Sequence, residues 1–167
     1  MELYRWQKEC LNEWEKHKYR GIVNVITGAG KTVLGISAIS LLAGKLEQEG
    51  KKLRVRIVVP TNWLARQWRS VLEEQLEEML REGVSLLGGG RKDPYRRACT
   101  IYVVNSARYM ITRHIKEDIL EGYEVLLIAD ECHHYGAPEN RRIFNFRTLP
   151  PDRQEHIFTL GLSATPE

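Results

Sequence analysis

Residues 24–32 read Asn24-Val25-Ile26-Thr27-Gly28-Ala29-Gly30-Lys31-Thr32, an apolar stretch that breaks at a glycine turn and restarts as a helix. Glycine has no Cβ, so Gly28 and Gly30 can adopt positive φ and bring backbone amides together on an anion. The predicted helix over residues 31–44 then presents its positive end to that anion, and Lys31 adds a formal charge. Since Thr32 offers a hydroxyl to Mg²⁺, the stretch predicts a nucleoside triphosphate site.

The stretch departs at one position from the full phosphate-binding pattern G-x-x-x-x-G-K-[ST], known as the P-loop or Walker A motif. The pattern requires glycine where this chain has Val25. A coincidental Gly-Lys-Thr after a strand therefore remains an alternative for this turn taken alone.

A second motif follows about a hundred residues later, at 125–131, where Val-Leu-Leu-Ile-Ala ends in Asp130-Glu131. The uninterrupted apolar run predicts a strand buried on both faces. In open parallel sheets the ligand lies outside the carboxyl ends of the strands, so Asp130 and Glu131 should share an edge with the glycine turn. There Asp130 would hold Mg²⁺ through water, and Glu131 would activate the water that attacks the γ-phosphate. The alternative is that Asp-Glu merely begins a solvated turn.

Three segments together resemble motifs I, II and III of the superfamily 2 helicases and translocases, in the DExH branch: Thr27 to Thr32, Asp130-Glu131-Cys132-His133, and Ser163-Ala164-Thr165. That branch tolerates the missing first glycine. The resemblance spans Gln7 to Thr165 and keeps the family's order. It implies a RecA-like α/β domain with three layers, a mostly parallel sheet and helices on both faces, using ATP and Mg²⁺. An Asp-Glu-x-His-His sequence further resembles XPB-type repair helicases and type III restriction motors, which favours DNA over RNA as partner.

The resemblance also assigns roles to individual residues. Thr27, Gly28, Ala29, Gly30, Lys31 and Thr32 are expected to bind ATP, Lys31 and Glu131 to be catalytic, and Thr32 and Asp130 to bind Mg²⁺. Gln7 resembles the glutamine whose amide reads adenine, and Trp6 beside it is predicted to be core. His133 would link the hydrolytic site to Ser163 and Thr165 and to a partner domain. Thr61 and Ser106 resemble residues that contact the nucleic-acid backbone, although each is equally suited to cap a helix.

Apolar periodicity and turn residues predict the remaining elements. Helices are expected over 3–19, 31–44 and 61–81, from Ser106 toward Glu121, and in a short basic segment from Ala137 that Pro150-Pro151 ends; strands are expected over 22–26, 55–59, 84–87, 99–104, 125–129 and 157–162. Residues 45–54 are charged and predict a surface connection. Residues 88–97 are the most basic and glycine-rich part of the chain, and predict either a phosphate contact or a solvated, flexible loop.

The composition of the chain limits its class but not its function. The chain has 167 residues, 43% of them apolar, which suits one domain with a substantial core. A net charge of +3 permits nucleic-acid binding without arguing for it. The three cysteines are widely separated and fit reduced thiols, and no apolar run is long enough to span a bilayer, so a cytoplasmic or nucleoid location is expected.

Residues 1–167 are thus predicted to form the first of two motor domains. In the resembled family, ATP is hydrolysed between two similar domains, and the second supplies an arginine finger. We therefore expect this chain alone to bind nucleotide weakly and to hydrolyse it slowly or not at all. Two alternatives remain: a noncatalytic module that keeps the fold to bind a partner, and a small P-loop kinase, which would leave the Asp-Glu-Cys-His and Ser-Ala-Thr motifs unexplained.

Overall fold

The computed structural model describes residues 2–25 and 30–164, apart from the side chains of residues 25, 133, 134 and 164. The α-helices are α1 Arg5–Lys16, α2 Lys31–Gln48, α3 Asn62–Gln75, α4 Val104–Leu120 and α5 Pro151–Gln154. The strands are β1 Arg20–Val25, β2 Lys52–Val59, β3 Ser85–Gly88, β4 Arg91–Lys92, β5 Cys99–Val103, β6 Tyr123–Asp130 and β7 Ile157–Ala164. Two 3₁₀ segments, Cys132–Gly136 and Asn140–Thr148, follow β6.

The strands form one sheet in the order β1-β7-β6-β2-β5-β3-β4. Every neighbouring pair is parallel except β3 and β4, which form an antiparallel hairpin at one edge. The parallel strands all end at the same side of the sheet, which we call the carboxyl edge. The predicted α/β domain with a mostly parallel sheet is confirmed.

Two hydrophobic clusters fill the space on the two faces of the sheet, which gives three layers. Side chains such as Ile57 and Ile128 pack under α1, α2 and α3 on one face. Side chains such as Val58 and Leu127 pack under α4 and the 3₁₀ segments on the other. Because each central strand is buried on both faces, its apolar run is continuous rather than alternating. Helices thus cover both faces, as predicted.

Several boundaries differ from the predicted ones. Helix α1 covers Arg5–Lys16 rather than 3–19, because Lys18 and Tyr19 have positive φ of 58° and 60° and turn the chain into β1. Helix α2 continues beyond residue 44 because Leu46 is buried against the core. Strand β2 begins at Lys52, inside the segment predicted as a surface connection. Helix α3 ends at Gln75 instead of residue 81, because Leu76, with φ of −124° and ψ of 36°, leaves the helical conformation.

The segment after the third strand is also more ordered than predicted. Residues 88–97 contain the β3–β4 hairpin, and the Asp93 carboxylate accepts a hydrogen bond from the Leu86 amide at 2.9 Å and pairs with Arg91 at 3.0 Å. Helix α4 starts at Val104, directly after β5, so Ser106 lies inside the helix and is not its cap. The segment from Ala137 forms 3₁₀ turns, and Pro151 starts a four-residue helix. Within the described residues, no helix is long and apolar enough to span a membrane.

Candidate nucleotide-binding site

The predicted motifs meet at the carboxyl edge of three adjacent strands. Strand β7 lies between β1 and β6, with Val25 beside Ala164 and Asp130 beside Leu162. The chain therefore leaves β1 for the glycine turn next to the point where β6 delivers its carboxylates. Thr27, Gly28, Ala29 and Thr165, together with the His133 side chain, lie outside the described residues.

Gly30 has a φ of 90° and directly precedes the first residue of α2. This left-handed conformation is strained for a residue with a Cβ, so the glycine requirement predicted here has a structural basis. Gly30 also has no side chain with which to cap α2, and the first amides of a helix attract anions. Thr32 lies half-buried in the first turn of the same helix, as expected for a residue that would reach a metal at this edge.

Lys31 lies between the two predicted carboxylates. Its Nζ is 3.1 Å from Asp130 Oδ1 and also donates a hydrogen bond to Glu131 Oε1, and the lysine is 5% exposed. Burial on its own would lower the pKa of Lys31, but the two carboxylates outweigh it and hold the pKa above its ordinary value. Lys31 is 99 positions from Asp130 and 100 positions from Glu131 in the sequence. The fold brings the three side chains into one buried ion cluster.

A further set of contacts fixes Asp130, and sequence reasoning missed it. The indole Nε1 of Trp68 donates to Asp130 Oδ2 at 2.8 Å, and the Glu131 amide donates to Oδ1 at 2.9 Å. The hydroxyl of Tyr135 donates to the backbone oxygen of Asp130 at 2.7 Å. Trp68 lies within the helix predicted over 61–81, and no contact with Asp130 was predicted for it. Its aromatic ring gives no sign in the sequence that its N–H would reach a carboxylate on another strand.

The close approach of Trp68 depends on Gly35 in α2. A Cβ at Gly35 would lie 2.5 Å from Cη2 of the indole. Since Trp68 is 1% exposed and cannot swing away, any side chain at this position would displace the ring from Asp130.

Glu131 follows the end of β6 in a left-handed conformation with φ of 54°. Non-glycine residues in this region carry backbone strain, which proteins tend to keep at functional sites. The next residue, Cys132, forms a hydrogen bond with Ser163 on β7, and burial raises the pKa of its thiol against the effect of that bond. The carboxylate motif is thereby connected to Ser163, the residue predicted to couple hydrolysis to movement.

Gln7 lies beside the glycine turn, as predicted, but its amide has partners within the chain. Gln7 Oε1 accepts from the Tyr4 amide at 2.8 Å, and Nε2 donates to the Gly30 oxygen at 3.2 Å. Trp6 packs beside it, with Cζ2 3.1 Å from where a Cβ on Gly30 would stand. The start of α1 therefore packs against Gly30, and the reading of adenine by Gln7 stays a prediction.

The two predicted nucleic-acid contacts lie on the neighbouring part of the carboxyl edge. Thr61 caps α3, because its Oγ1 accepts from the Leu64 amide at 3.2 Å, and it is exposed. Ser106 lies half-buried in the first turns of α4 and lines a cleft with Gly88, Gly89 and Gly90. The cap at Thr61 is confirmed and that at Ser106 is wrong, while both contacts with nucleic acid stay predictions.

A known protein family and two known relatives are similar to this chain. The family model described as "Type III restriction enzyme, res subunit" matches residues 1–167. The chain is 30% identical over 167 residues to "DNA 3'-5' translocase XPB2" of Sulfurisphaera tokodaii, covering 100% of this chain and 31% of that protein. It is 30% identical over 139 residues to "Putative DNA 3'-5' helicase Rad25" of Haloarcula marismortui, covering 83% of this chain and 19% of that protein. The chain thus spans less than a third of the length of either relative.

Proposed function

Because the chain belongs to the family of type III restriction enzyme res subunits, we propose that it is the ATP-binding motor domain of a DExH helicase or translocase that acts on DNA. The predicted membership of the superfamily 2 helicases and translocases is confirmed by this match and by the two relatives. The observation that supports the nucleotide site is the buried cluster of Lys31, Asp130 and Glu131 at the start of α2.

In the proposed ATP complex, Thr27, Gly28, Ala29 and Gly30 supply amides to the phosphates. Lys31 exchanges its carboxylate partners for phosphate oxygens, since its charge is already held at this edge. Gln7 would bind the adenine base through its amide. The exchange requires only that the lysine side chain rotate, because α2 fixes its backbone.

Mg²⁺ would be held by the hydroxyl of Thr32 and, through water, by Asp130. Oxygen donors are the ligands that this ion prefers, and Trp68 fixes one carboxylate oxygen of Asp130 in place. Bound there, Mg²⁺ neutralises charge on the β- and γ-phosphates. The donor set therefore fits the ion.

Glu131 would act as the general base. Once Lys31 turns to the phosphates, the Glu131 carboxylate no longer bonds to an ammonium group and can accept a proton from the attacking water. Asp130 keeps its bonds to Trp68 and to the Glu131 amide, so the two carboxylates serve different roles.

The proposed track is DNA, because both relatives carry that substrate in their names. Thr61 and Ser106 would contact its phosphates on the exposed part of the carboxyl edge. His133, Ser163 and Thr165 would couple hydrolysis to a second RecA-like domain. That domain belongs to the proposal, since this chain covers 31% and 19% of its two relatives.

Steady-state ATP hydrolysis by the full natural chain tests the proposal, with and without single-stranded DNA, duplex DNA and RNA. We expect stimulation by DNA and its loss in Lys31→Ala, while Lys45→Ala, an exposed lysine in the last turns of the same helix, leaves it unchanged. If no nucleic acid stimulates ATP hydrolysis, and Lys31→Ala leaves the binding of a partner unchanged, the noncatalytic module would be favoured instead. Phosphorylation of a small acceptor would favour the kinase.

A further inference from the structure

The first turn of α3 presents a large aromatic side chain to solvent at the carboxyl edge. Trp63 is 65% exposed, whereas Trp14 and Trp68 are 3% and 1% exposed. Burying an indole is worth several kcal/mol of apolar transfer, so an exposed tryptophan is more informative than an exposed small side chain. Trp63 precedes Leu64 and Trp68, which face the core, and its position on the helix directs it outward.

The backbone that carries Trp63 is fixed on both sides. The hydroxyl of Thr61 caps the helix turn in which Trp63 lies. The Asn62 side chain packs on the β3–β4 hairpin so closely that a Cβ on Gly89 would lie 2.5 Å from Asn62 Oδ1. Gly89 has a φ of 59°, so a glycine there permits both the turn and the contact. The indole is therefore displayed on a rigid base, which lowers the entropy cost of binding with it.

The cations beside Trp63 lie on the same face of the sheet as α3. Arg66 is exposed one turn further along α3, and Arg91 is exposed on the hairpin opposite Gly88. Arg91 is paired with Asp93, but within residues 2–25 and 30–164 Arg66 makes no ion pair. The carboxylates of α3 begin at Glu73, about 15 Å along the helix from Trp63 at 1.5 Å per residue. An aromatic face beside an unpaired cation is suited to a strand that carries both phosphates and exposed bases.

We propose that Trp63 stacks on an unpaired base of a single nucleic-acid strand whose phosphates lie against Arg66. The inference rests on the proposed function, and it adds to it that this domain reads a single strand through a base. A duplex keeps its base faces stacked on one another, so it cannot occupy the indole without opening. Stacking is insensitive to which base is present, and the contact therefore suits a motor that must hold every sequence in turn.

The central comparison in the test is between an intact strand and a strand of equal length without bases. Fluorescence anisotropy of the full natural chain would be measured with labelled oligothymidylate, an abasic strand of equal length, oligouridylate and a duplex. We expect Trp63→Ala to weaken binding of oligothymidylate by about tenfold and Trp63→Phe to recover most of that loss. Both variants should bind the abasic strand within about twofold of the parent. Comparison of the affinities for oligouridylate and oligothymidylate shows whether the protein prefers RNA or DNA.

A matched control tests whether truncation of any exposed apolar side chain weakens binding. Leu120 is 69% exposed at the far end of α4, away from the carboxyl edge, and Leu120→Ala should leave every affinity unchanged. Equal weakening of the intact and abasic strands by Trp63→Ala, or no weakening of either, overturns the stacking inference while leaving the proposed function intact. A parent protein that binds none of the four nucleic acids overturns the proposed function itself.

Discussion

Glu131 is the residue whose chemistry is tested most directly. Glu131→Gln keeps the size of the side chain and its ability to accept a hydrogen bond, but it removes the basic carboxylate. We expect kcat for ATP in the full natural chain to fall by about 10² to 10⁴, the usual contribution of a general base, while nucleotide binding persists. Turnover and binding of a fluorescent ATP analogue measure the two effects.

The control for this substitution is Glu74→Gln, which makes the same change at an exposed position on α3. It should alter neither turnover nor binding. Normal turnover by the Glu131→Gln protein would remove Glu131 from the role of base.

Trp68 is predicted to position the metal-binding carboxylate through its indole N–H. Trp68→Phe removes the donor to Asp130 Oδ2 and keeps an aromatic ring in the core. Groups that orient metal ligands typically contribute 10- to 100-fold to affinity or activity, so we expect about tenfold more Mg²⁺ to be needed for half-maximal ATP hydrolysis. Titration of Mg²⁺ at saturating ATP measures it.

Leu72→Ala is the matched control for Trp68. Leu72 is 0% exposed on the same helix, and no contact joins it to Asp130 among the described residues. Its truncation should lower the free energy of unfolding by about 2–5 kcal/mol without shifting the Mg²⁺ requirement. An equal shift in both variants would mean that Trp68 acts through packing alone.

At the scale of single residues, the sequence predicted the positions of residues whose roles depend on neighbouring residues in the chain. Gly30, Lys31 and Asp130 lie where the strand–turn–helix pattern and the apolar run placed them. The role of Trp68 was not predicted, because it depends on a contact with a residue 62 positions away, which no local pattern encodes. Of the two alternatives left open for Ser106, the cap is wrong, because α4 starts directly after β5.

Helix α4 and strand β2 are joined by a buried charge network. Arg56 Nε donates to Asp118 Oδ2 at 2.9 Å, Arg54 Nη1 donates to Asp118 Oδ1 at 2.8 Å, and Arg56 and Asp118 are both 0% exposed. Burial opposes the charge of Arg56, but neighbours led by Tyr102 and Asp118 keep its pKa above the ordinary value. Arg56 Nη1 also donates to the Tyr95 oxygen at 2.6 Å, so the network anchors the segment after the hairpin.

Removal of one partner from this network should be costly. Asp118→Asn leaves the fully buried Arg56 guanidinium without its carboxylate and Arg54 with Glu121 alone, so we expect the free energy of unfolding to fall by about 3–5 kcal/mol. Urea denaturation of this chain measures it. Asp152→Asn, at an exposed position, should change it by less than about 0.5 kcal/mol. A loss below about 1 kcal/mol in Asp118→Asn would show that the network contributes little.

The same network explains why the prediction of elements was incomplete. Strand β2 was expected to begin at Val55, because Arg54 and the residues before it are charged and charged residues rarely enter a central strand. The structure extends β2 back to Lys52 because Asp118 on α4 compensates the inward-facing arginines. Such a partner lies on another element, so the pattern along β2 alone cannot reveal it.

At the scale of the whole molecule, the two proposed sites are neighbours on the carboxyl edge. The nucleotide cluster lies at the ends of β1, β7 and β6, and the proposed DNA surface lies at the ends of β2, β5 and β3. Strands β6 and β2 are neighbours, and the Tyr135 hydroxyl lies 2.7 Å from the backbone oxygen of Asp130 and 3.3 Å from that of Val58. Tyr135 therefore contacts both the strand that carries Asp130 and the strand that ends beside Thr61.

The proposed second domain would complete the nucleotide site. An arginine finger from such a domain contributes about 10³ to 10⁵ to the rate in related phosphoryl transfer, so we expect the isolated 167 residues to hydrolyse ATP slower than the full natural chain by a factor in that range. Steady-state ATPase of the two proteins at equal concentration measures the ratio, with Lys31→Ala of each as the blank for contaminating activity. Brisk turnover by the isolated chain that disappears in Lys31→Ala would mean that these residues complete the site alone, because the activity would then depend on this phosphate turn without any group from a second domain.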